Sequence, residues 1–291
     1  GDGRDVKVRE AWLESRKILE CNGIQDYSIE AEVLLRHAIG IDRVKFFQSL
    51  NCDLSSSTKI SFDDMIHRRS SREPLAYIVG SREFYGLDFI VNPHVLIPRQ
   101  ETELLVEEVL NFLSLHSLKN PLIADIGTGS GSIAISIAKN SEDSTIFAID
   151  KSIDALKVAN LNRHKHGVSD RVKLLHGHLL SPLSQKVDVI VSNPPYIASH
   201  IIGNLEPEVQ NEPREALDGG YSGVDSINEL ISSSTCILKS SGMIAIEINY
   251  DHSEEAKKLC HEYFPKAEIS VIKDLTRTPR MVKIVLAKRL K

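Results

Sequence analysis

Hydrophobic positions recur at helical spacing through the first quarter of the chain. A first run with one apolar face ends at Asn22-Gly23, and residue types that favour helix N-termini, Ser28, Asp42 and Ser55, each precede a further run. No alternation of apolar and polar residues, which is typical of strands, occurs there. Residues 1–73 are therefore predicted to form a small all-α bundle.

The pattern changes over residues 74–98. Two short runs of β-prone residues, Ala76–Gly80 and Glu83–Val91, follow one another and contain glycine. They predict a β-hairpin that links the bundle to the rest of the chain. A helix with an apolar face is predicted to begin after the hairpin, with Thr102 as its N-cap.

From Pro121 onward, short apolar runs alternate with runs of helical period. Strands are predicted at 122–126, 145–150, 172–175, 187–191, 243–248, 267–272 and 281–286. Helices are predicted at 133–139, 154–166, 225–238 and 253–264. Such alternation predicts an α/β domain over residues 99–291, with a mostly parallel seven-stranded sheet covered on both faces. No helix separates the last two strands, so we expect them to pair antiparallel at the sheet edge.

The composition is that of a soluble globular protein, with 42% hydrophobic and 26% charged residues. The 35 basic and 40 acidic residues give a net charge of −5, which argues against a broad nucleic-acid footprint. No apolar run reaches the ~18 residues of a membrane span, and no signal-peptide core precedes the first helix, so no membrane association is expected. Four widely spaced cysteines without a C-x-x-C pair predict reduced thiols in the cytoplasm and no metal site.

A glycine loop, Asp125-Ile126-Gly127-Thr128-Gly129-Ser130-Gly131, lies where the first strand of the α/β domain meets its helix. Glycine lets backbone approach a ligand closely, and a helix N-terminus presents free N–H groups. Asp150 ends the next strand, 19 residues beyond Gly131, where an acidic side chain can accept both hydroxyls of a ribose. The alternatives are a structural tight turn and a helix N-cap. Position 132 is Ser, so the dinucleotide fingerprint fails at its third glycine, which disfavours an NAD-dependent oxidoreductase.

A second motif, the tip Asn193-Pro194-Pro195-Tyr196, follows the apolar run Val187–Val191. Proline stops the strand ladder and keeps the preceding residue extended. Asn193 Oδ1 and the Pro194 carbonyl can accept the two hydrogens of a planar –NH2 group, and Tyr196 can cover its π face. The alternative is a strand-ending turn with a packed tyrosine.

The glycine loop, Asp150 and the tip all follow strand carboxyl ends, so they are expected to line one cleft. A ribose-bearing cofactor beside a site for an amino group fits methyl transfer from S-adenosylmethionine to nitrogen. The proton lost after transfer is acidic, so no general base is required. The catalytic candidates are therefore Asn193, Pro194 and Tyr196.

These motifs resemble those of known enzymes. The glycine loop with Asp150 is similar to the cofactor site of class I S-adenosylmethionine methyltransferases, which have a Rossmann-like sheet. The segments Arg82–Gly86, Leu96–Glu103 and Glu212–Leu217, taken with the tip, resemble the HemK/PrmC family. That resemblance implies methylation of the glutamine side-chain nitrogen in the Gly-Gly-Gln loop of peptide chain release factors. It also implies that the helical bundle helps to dock the release factor.

The resemblance extends the set of candidate contacts. Class I enzymes often carry an acidic residue near the adenine where this chain has His178 and Leu179, which we count as cofactor-binding candidates, although His178 alternatively is a surface loop residue. Arg99 and Glu101 are substrate-binding candidates together with the tip, the alternative being solvated charges before a helix. Asn193 is expected to contact both cofactor and substrate.

Two rival functions use the same motifs. An N6-adenine or guanine amino-methyltransferase acting on DNA or rRNA presents the same planar amino group, but the clearest basic cluster, His67–Arg69 with Arg72, is small and lies outside the α/β domain. A non-catalytic release-factor-binding or ribosome-binding module is disfavoured because the motifs are intact. We expect a monomeric enzyme, and we interpret residues 197–223 as a lid or substrate-gripping loop.

Overall fold

The computed structural model describes residues 6–286. It divides into two compact units. The first comprises the residues up to Gly80 together with Pro207–Asn211, and the second comprises Ser81–Glu206 with the chain from Glu212 onward.

Helices dominate the start of the chain, and strands and helices alternate after it. The helices are α1 (Val8–Cys21), α2 (Tyr27–Ile39), α3 (Arg43–Gln48), α4 (Ser56–Ser70), α5 (Leu75–Val79), α6 (Glu103–Leu115), α7 (Ser132–Asn140), α8 (Ile153–Lys165), α9 (Pro207–Gln210), α10 (Arg214–Leu217), α11 (Asp225–Ile237) and α12 (Ser253–Tyr263). The strands are β1 (Ser81–Phe84), β2 (Leu87–Ile90), β3 (Leu122–Ile126), β4 (Thr145–Asp150), β5 (Val172–His176), β6 (Val187–Ser192), β7 (Leu238–Glu247), β8 (Glu268–Lys273) and β9 (Pro279–Val285).

In the first unit, the four helical runs predicted from the spacing are present as α1 to α4, of which α3 has only six residues. Asp42 caps α3 by accepting the Lys45 N–H at 2.8 Å, and Ser55 caps α4 by accepting the Thr58 N–H at 3.2 Å. The predicted cap at Ser28 is wrong, because α2 begins at Tyr27 and its N-cap position is Asp26, two residues before Ser28. The helices enclose a core whose fully buried side chains include Leu19, Leu34, Leu35, Phe46 and Phe62.

The strand predicted at Ala76–Gly80 is wrong, since this segment forms the short helix α5. Gly80 ends the helix with φ 80°, a left-handed conformation that glycine adopts without a steric cost. Tyr77 and Ile78 are buried, so tertiary packing overrides their β propensity. The hairpin forms further along, where β1 and β2 pair antiparallel around Tyr85-Gly86.

The second unit contains a seven-stranded sheet in the order β5-β4-β3-β6-β7-β9-β8. The strands from β3 to β7 pair parallel, and β9 pairs antiparallel with both β7 and β8. The last two strands therefore pair antiparallel at the edge, as predicted. The chain moves outward from β3 to β5 and then returns to β6 beside β3. This reversal creates a switch point, where a crevice opens at the carboxyl ends of the strands.

Both faces of the sheet are covered, so its central strands β3, β6 and β7 are largely buried on both sides. Helices α6 and α7 pack on one face through residues such as Val106 and Ile135. Helices α11 and α12 pack on the other face through residues such as Ile231 and Cys260. Alternate residues of β3 serve the two faces, with Ile123 in the first cluster and Ala124 in the second. The core thus holds the carboxyl ends of β3, β4 and β6 at fixed positions.

Three further properties bear on function. Over residues 6–286, no helix combines the length and the apolar character that crossing a membrane requires. Over the same residues, no group of His, Cys, Asp and Glu side chains could hold a metal ion. Cys21, Cys52, Cys236 and Cys260 all carry free thiols.

Candidate functional site

A cavity opens at the switch point of the second unit. Its wall contains most of the residues predicted to bind cofactor or substrate, namely Arg99, Gly127, Thr128, Gly129, Ser130, Asp150, His178, Leu179, Asn193, Pro194 and Pro195. Four predicted residues, Asp125, Gly131, Tyr196 and Glu101, are not part of this wall. The fold therefore brings the glycine loop, Asp150 and three residues of the tip to one cavity.

The glycine loop presents bare backbone to the cavity. Gly127 and Gly129 have φ values of 70° and 54°, and a Cβ added at either position would meet no atom within 4 Å. The Gly127 and Thr128 N–H groups donate to the Ile149 carbonyl at 2.9 and 3.0 Å, which ties the loop to β4. A ligand can therefore approach the loop backbone closely without displacing a side chain.

Asp125 lies beneath the glycine loop and not at the cavity wall. One carboxyl oxygen, Oδ2, accepts the Thr128 hydroxyl at 2.7 Å and the Ala134 N–H at 3.2 Å. The side chain is fully buried, and burial raises the pKa of Asp125 to about 7 against the opposing effect of these two donors. Asp125 thus fixes the loop to the start of α7, and its predicted contact with a cofactor stays a prediction.

Gly131, the last residue of the glycine loop, lies close to side chains of α7 and α8. It precedes α7 with φ 84°, and a Cβ at this position would lie 3.0 Å from Ile135 Cδ1 and 3.4 Å from Ala159 Cβ. Only glycine fits this position without displacing its neighbours. Its predicted contact with the cofactor stays a prediction.

Asp150 joins the glycine loop to the cavity wall. Its Oδ2 accepts the Gly129 N–H at 2.9 Å, and its Oδ1 accepts the Ser152 N–H at 2.9 Å. Burial raises the pKa of Asp150 above its ordinary value. Each carboxylate oxygen can accept a further hydrogen bond, so the side chain can receive ribose hydroxyls while it holds the loop. Ser152, and not Asp150, caps α8, because the Ser152 Oγ accepts the Ala155 N–H at 3.1 Å.

Asn162 is a supporting residue that the sequence did not reveal. It is fully buried on α8, and its Nδ2 donates to the Ser130 carbonyl at 2.8 Å and to the Ile90 carbonyl at 2.9 Å. Its Oδ1 accepts the Ile90 N–H at 2.7 Å. The side chain therefore ties the glycine loop to the β1–β2 hairpin. No local pattern in the sequence marks such a residue.

His178 and Leu179 lie just after the end of β5. His178 Nε2 lies 2.7 Å from Glu229 Oε1, and both side chains border the cavity. Leu179 has φ 48°, which is uncommon for a residue other than glycine and marks a locally constrained backbone. Glu229, which the sequence did not single out, thus places a carboxylate at this end of the cavity.

The tip begins directly after β6. The Ser192 hydroxyl donates to the Ile126 carbonyl at 2.7 Å, which locks the ends of β6 and β3 together. Among the described residues, none forms a hydrogen bond with the Asn193 side-chain amide, although that amide borders the cavity. Beyond the tip, the Ile197 N–H donates to the Leu217 carbonyl at 3.0 Å. The Asn193 amide is therefore available to a ligand.

Tyr196 does not border the cavity, and its phenol lies near the Glu247 carboxyl. Burial and the nearby Glu247 carboxyl raise the pKa of Tyr196. The Glu247 carboxyl, itself 4% exposed, accepts the Thr102 hydroxyl at 2.7 Å. Thr102 stands at the predicted N-cap position of α6, but its hydroxyl makes no cap hydrogen bond because it is used in this contact.

Arg99 and Glu101 have different surroundings. The Arg99 guanidinium lies in the cavity wall, where it pairs with the buried Glu212 carboxylate and donates to the Ile97 carbonyl at 2.7 Å. Glu212 Oε2 also accepts the Ile97 N–H at 2.8 Å. Glu101 is exposed. Arg99 therefore links its own segment to the 197–223 loop, and the predicted substrate contacts of both residues stay predictions.

Comparison with known proteins agrees with this geometry. Two family models match, the PrmC N-terminal domain over residues 10–80 and the methyltransferase small domain over residues 100–220. The release factor glutamine methyltransferase of Moorella thermoacetica is 40% identical over 87% of this chain and 89% of its own length. That of Clostridium acetobutylicum is 36% identical over 95% of this chain and 98% of its own length.

A solved structure supports the fold. A methyltransferase from Pyrococcus furiosus superposes with a TM-score of 0.50 at 18% identity, covering 69% of this chain and 88% of that one. At this identity the likeness concerns the fold alone, a class I methyltransferase sheet. The sequence relatives are closer and cover nearly the whole chain. The chain belongs to the family of release factor glutamine methyltransferases.

Proposed function

We propose that this protein transfers a methyl group from S-adenosylmethionine to the side-chain amide nitrogen of the glutamine in the Gly-Gly-Gln loop of a peptide chain release factor. The observation that carries the proposal is the free Asn193 amide in one cavity with the glycine loop and Asp150. The family to which the chain belongs selects glutamine as the methyl acceptor. We place the reaction in the cytoplasm, which the four free thiols support.

The cavity fits the cofactor. S-adenosylmethionine supplies an electrophilic methyl group on its sulfonium. We assign the ribose hydroxyls to the Asp150 carboxylate and the close backbone contacts to Gly127 and Gly129, since both requirements are met there. At the adenine end we assign His178 and Leu179, where the Glu229 carboxylate beside His178 provides an acceptor for an amino group.

We assign the tip to bind the side-chain amide of the substrate glutamine. Asn193 Oδ1 and the Pro194 carbonyl accept the two hydrogens of the –NH2 group and hold its nitrogen in line with the methyl group. Positioning of this kind can supply up to ~7–11 kcal/mol of the barrier reduction. Positive charge develops on nitrogen during transfer, and the two oxygen acceptors stabilise it. The proton then leaves to water, so the chain needs no dedicated base.

Charge in the first unit supports a protein substrate over a nucleic acid. The most basic stretch of the sequence is already paired with acids. Arg68 binds Glu73, and the buried Arg69 binds both Glu30 at 2.6 Å and Glu208 at 3.1 Å. Arginines committed to carboxylates do not neutralise phosphates, which nucleic-acid binding requires. A DNA or RNA amino-methyltransferase is therefore the weaker alternative.

We also propose that the first unit docks the release factor. It leaves apolar side chains in solvent, with Ile29, Val44 and Ile60 exposed to 63%, 68% and 71%. Replacing these three residues by serine should raise the KM for release factor and leave cofactor affinity unchanged. The same change at Leu161, an exposed apolar residue of the second unit, is the control. An unchanged KM in the triple variant would exclude this docking surface.

The experiment that tests the function is a labelling assay. Purified enzyme, release factor and tritiated S-adenosylmethionine are mixed, and the modified peptide is identified by mass spectrometry. We expect one methyl group on the loop glutamine, and no label when that glutamine is replaced by another residue. Efficient labelling of DNA or RNA with an unlabelled release factor would overturn the proposal.

A further inference from the structure

Tyr221 is the most exposed of the seven tyrosines, with 89% of its surface in solvent. It belongs to the 197–223 loop and lies in the turn between α10 and α11. A single exposed aromatic residue is ordinary on a protein surface, so its position and its support decide what it can do.

The turn that carries Tyr221 borders the cavity at both ends. Ala216, the third residue of α10, and Ser226, the second residue of α11, both belong to the cavity wall. Tyr221 lies five residues from each of them, so the chain leaves the wall, forms the turn and returns to the wall. The turn is therefore part of the rim of the cavity.

The same turn packs against the backbone of the tip. A Cβ added to Gly219 would lie 2.7 Å from Tyr196 Cα and 2.9 Å from the Pro195 carbonyl oxygen. A Cβ added to Gly223 would lie 2.9 Å from the Tyr196 carbonyl oxygen. Two residues of chain span at most ~7 Å, so the Tyr221 backbone is within that distance of Gly219. Tyr221 thus stands beside the residues to which we assign the substrate amide.

Hydrogen bonds hold the backbone of the turn while the ring stays in solvent. Asp225 Oδ2 accepts the Tyr221 N–H at 2.9 Å, and Asp225 Oδ1 accepts the Ser222 hydroxyl at 3.0 Å. On the other side, the Gly220 N–H donates to Asp218 Oδ1 at 3.1 Å. A tyrosine on such a fixed backbone loses little entropy on binding, since only two side-chain torsions must be ordered. Tyrosines of this kind are frequent contact residues in protein interfaces.

The proposed substrate determines what the ring meets. The glutamine side chain reaches the tip only if the main chain that carries it crosses the rim of the cavity. Two glycines precede the glutamine in that main chain. Glycine has no side chain, so its peptide planes are bare and an aromatic ring can pack closely on them.

We infer that Tyr221 is a substrate-recognition residue, whose ring packs on the glycine-rich main chain of the release-factor loop while the tip holds the glutamine amide. The inference rests on the proposed function, which supplies the occupant. The residues that line the cavity do not include Tyr221, so we assign it to substrate affinity and not to cofactor affinity or to the chemical step.

The test compares Tyr221→Ala with Tyr221→Phe. Tyr221→Ala should raise the KM for release factor by about tenfold to thirtyfold, the effect of truncating an aromatic anchor in an interface. The kcat at saturating release factor and the affinity for S-adenosylhomocysteine should stay at wild-type values. Tyr221→Phe keeps the ring and should keep the wild-type KM. Tyr263→Ala, at the end of α12 and outside the cavity wall, is the control.

Binding without turnover gives a second readout. Release factor is titrated by calorimetry into enzyme loaded with S-adenosylhomocysteine, and the Kd should rise in Tyr221→Ala by the same factor as the KM. Because the Tyr221 side chain is exposed, neither substitution removes a core contact.

Three results would overturn the inference: unchanged KM and Kd in Tyr221→Ala, an equal loss of affinity in Tyr221→Phe, or a fall in kcat with unchanged KM. Labelling by the wild-type enzyme separates this inference from the proposed function. A labelled release factor with wild-type affinity in Tyr221→Ala refutes the inference alone. An unlabelled release factor refutes the proposed function, and with it the occupant assigned to Tyr221.

Discussion

The two sides of the cavity are fixed by different kinds of contact. The glycine loop is held by bonds between residues near in sequence, Thr128 with Asp125 and Gly129 with Asp150, which are 3 and 21 positions apart. The tip is held over a longer separation, because the Ser192 hydroxyl directly before it donates to the Ile126 carbonyl, 66 positions distant. The glycine loop therefore forms as β3, β4 and α8 come together, whereas the tip also needs β6 to pair with β3.

This difference separates the two tasks of the proposed reaction. Cofactor binding requires bare backbone and one carboxylate, which the unit of β3, the glycine loop and α7 supplies together with the end of β4. Orienting an amide nitrogen requires placement to a fraction of an ångström, which a short turn cannot maintain without support. We therefore expect changes around the tip to affect turnover and changes around the glycine loop to affect cofactor affinity.

The largest effect on turnover is expected from a substitution that crowds the tip. A Cβ on Gly219 would lie 2.7 Å from Tyr196 Cα and 2.9 Å from the Pro195 carbonyl oxygen, so Gly219→Ala must displace the tip backbone. We expect turnover to fall by about 100-fold, with cofactor affinity retained. The control is Gly203→Ala in the same loop, where an added Cβ meets nothing within 4 Å. Normal turnover in Gly219→Ala would mean that the tip tolerates displacement.

A smaller effect is expected on the cofactor side. Asp150→Ala should weaken binding of S-adenosylhomocysteine by about tenfold to 150-fold, since a hydrogen bond to a charged group is worth ~1.5–3 kcal/mol. Calorimetry measures the affinity directly. Asp154→Ala, four residues along and exposed, provides the control. Equal affinity of the Asp150→Ala and wild-type proteins would remove Asp150 from the cofactor site.

The smallest effect concerns pH. The pKa of Asp125 is about 7 in the fold against an ordinary value of 3.8, so the folded state holds the proton more tightly than the unfolded chain. Its contribution to stability is complete below about pH 4 and is lost as the pH rises through about 7. Asp125→Asn should therefore show a shallower fall in unfolding free energy over that range, measured by denaturant titration. Curves parallel to those of wild type would show that Asp125 ionises normally.

The glycine loop and the tip were predictable because their signals are local. A strand, a glycine-rich turn and an acidic residue at the next strand end are adjacent in sequence, and so are two prolines beside Asn193. The parallel sheet with its antiparallel edge also followed from the alternation of strands and helices. The strand prediction at Ala76–Gly80 is wrong because the conformation there depends on the burial of Tyr77 and Ile78, which no local signal reveals.

The supporting residues were not predictable, because each acts across a long sequence separation. Asn162 reaches the glycine loop from α8, Glu212 reaches Arg99 over 113 positions, and Glu247 reaches Thr102 from β7. Nothing near these residues in the sequence marks the contact. Asp125 was placed correctly beside the loop, but only the fold shows that it lies below the backbone and not at the wall.

The central claim, that the glycine side binds the cofactor and the tip drives turnover, is tested most directly by raising the cofactor concentration. Asp150→Ala and Asn193→Ala are assayed on release factor at low and at saturating S-adenosylmethionine. We predict that saturation restores Asp150→Ala to nearly the wild-type rate, while Asn193→Ala stays about 10²–10³-fold slower, as when an enzyme loses one oxyanion-stabilising group. Recovery of Asn193→Ala at saturation, or a persistent deficit in Asp150→Ala, would contradict this division.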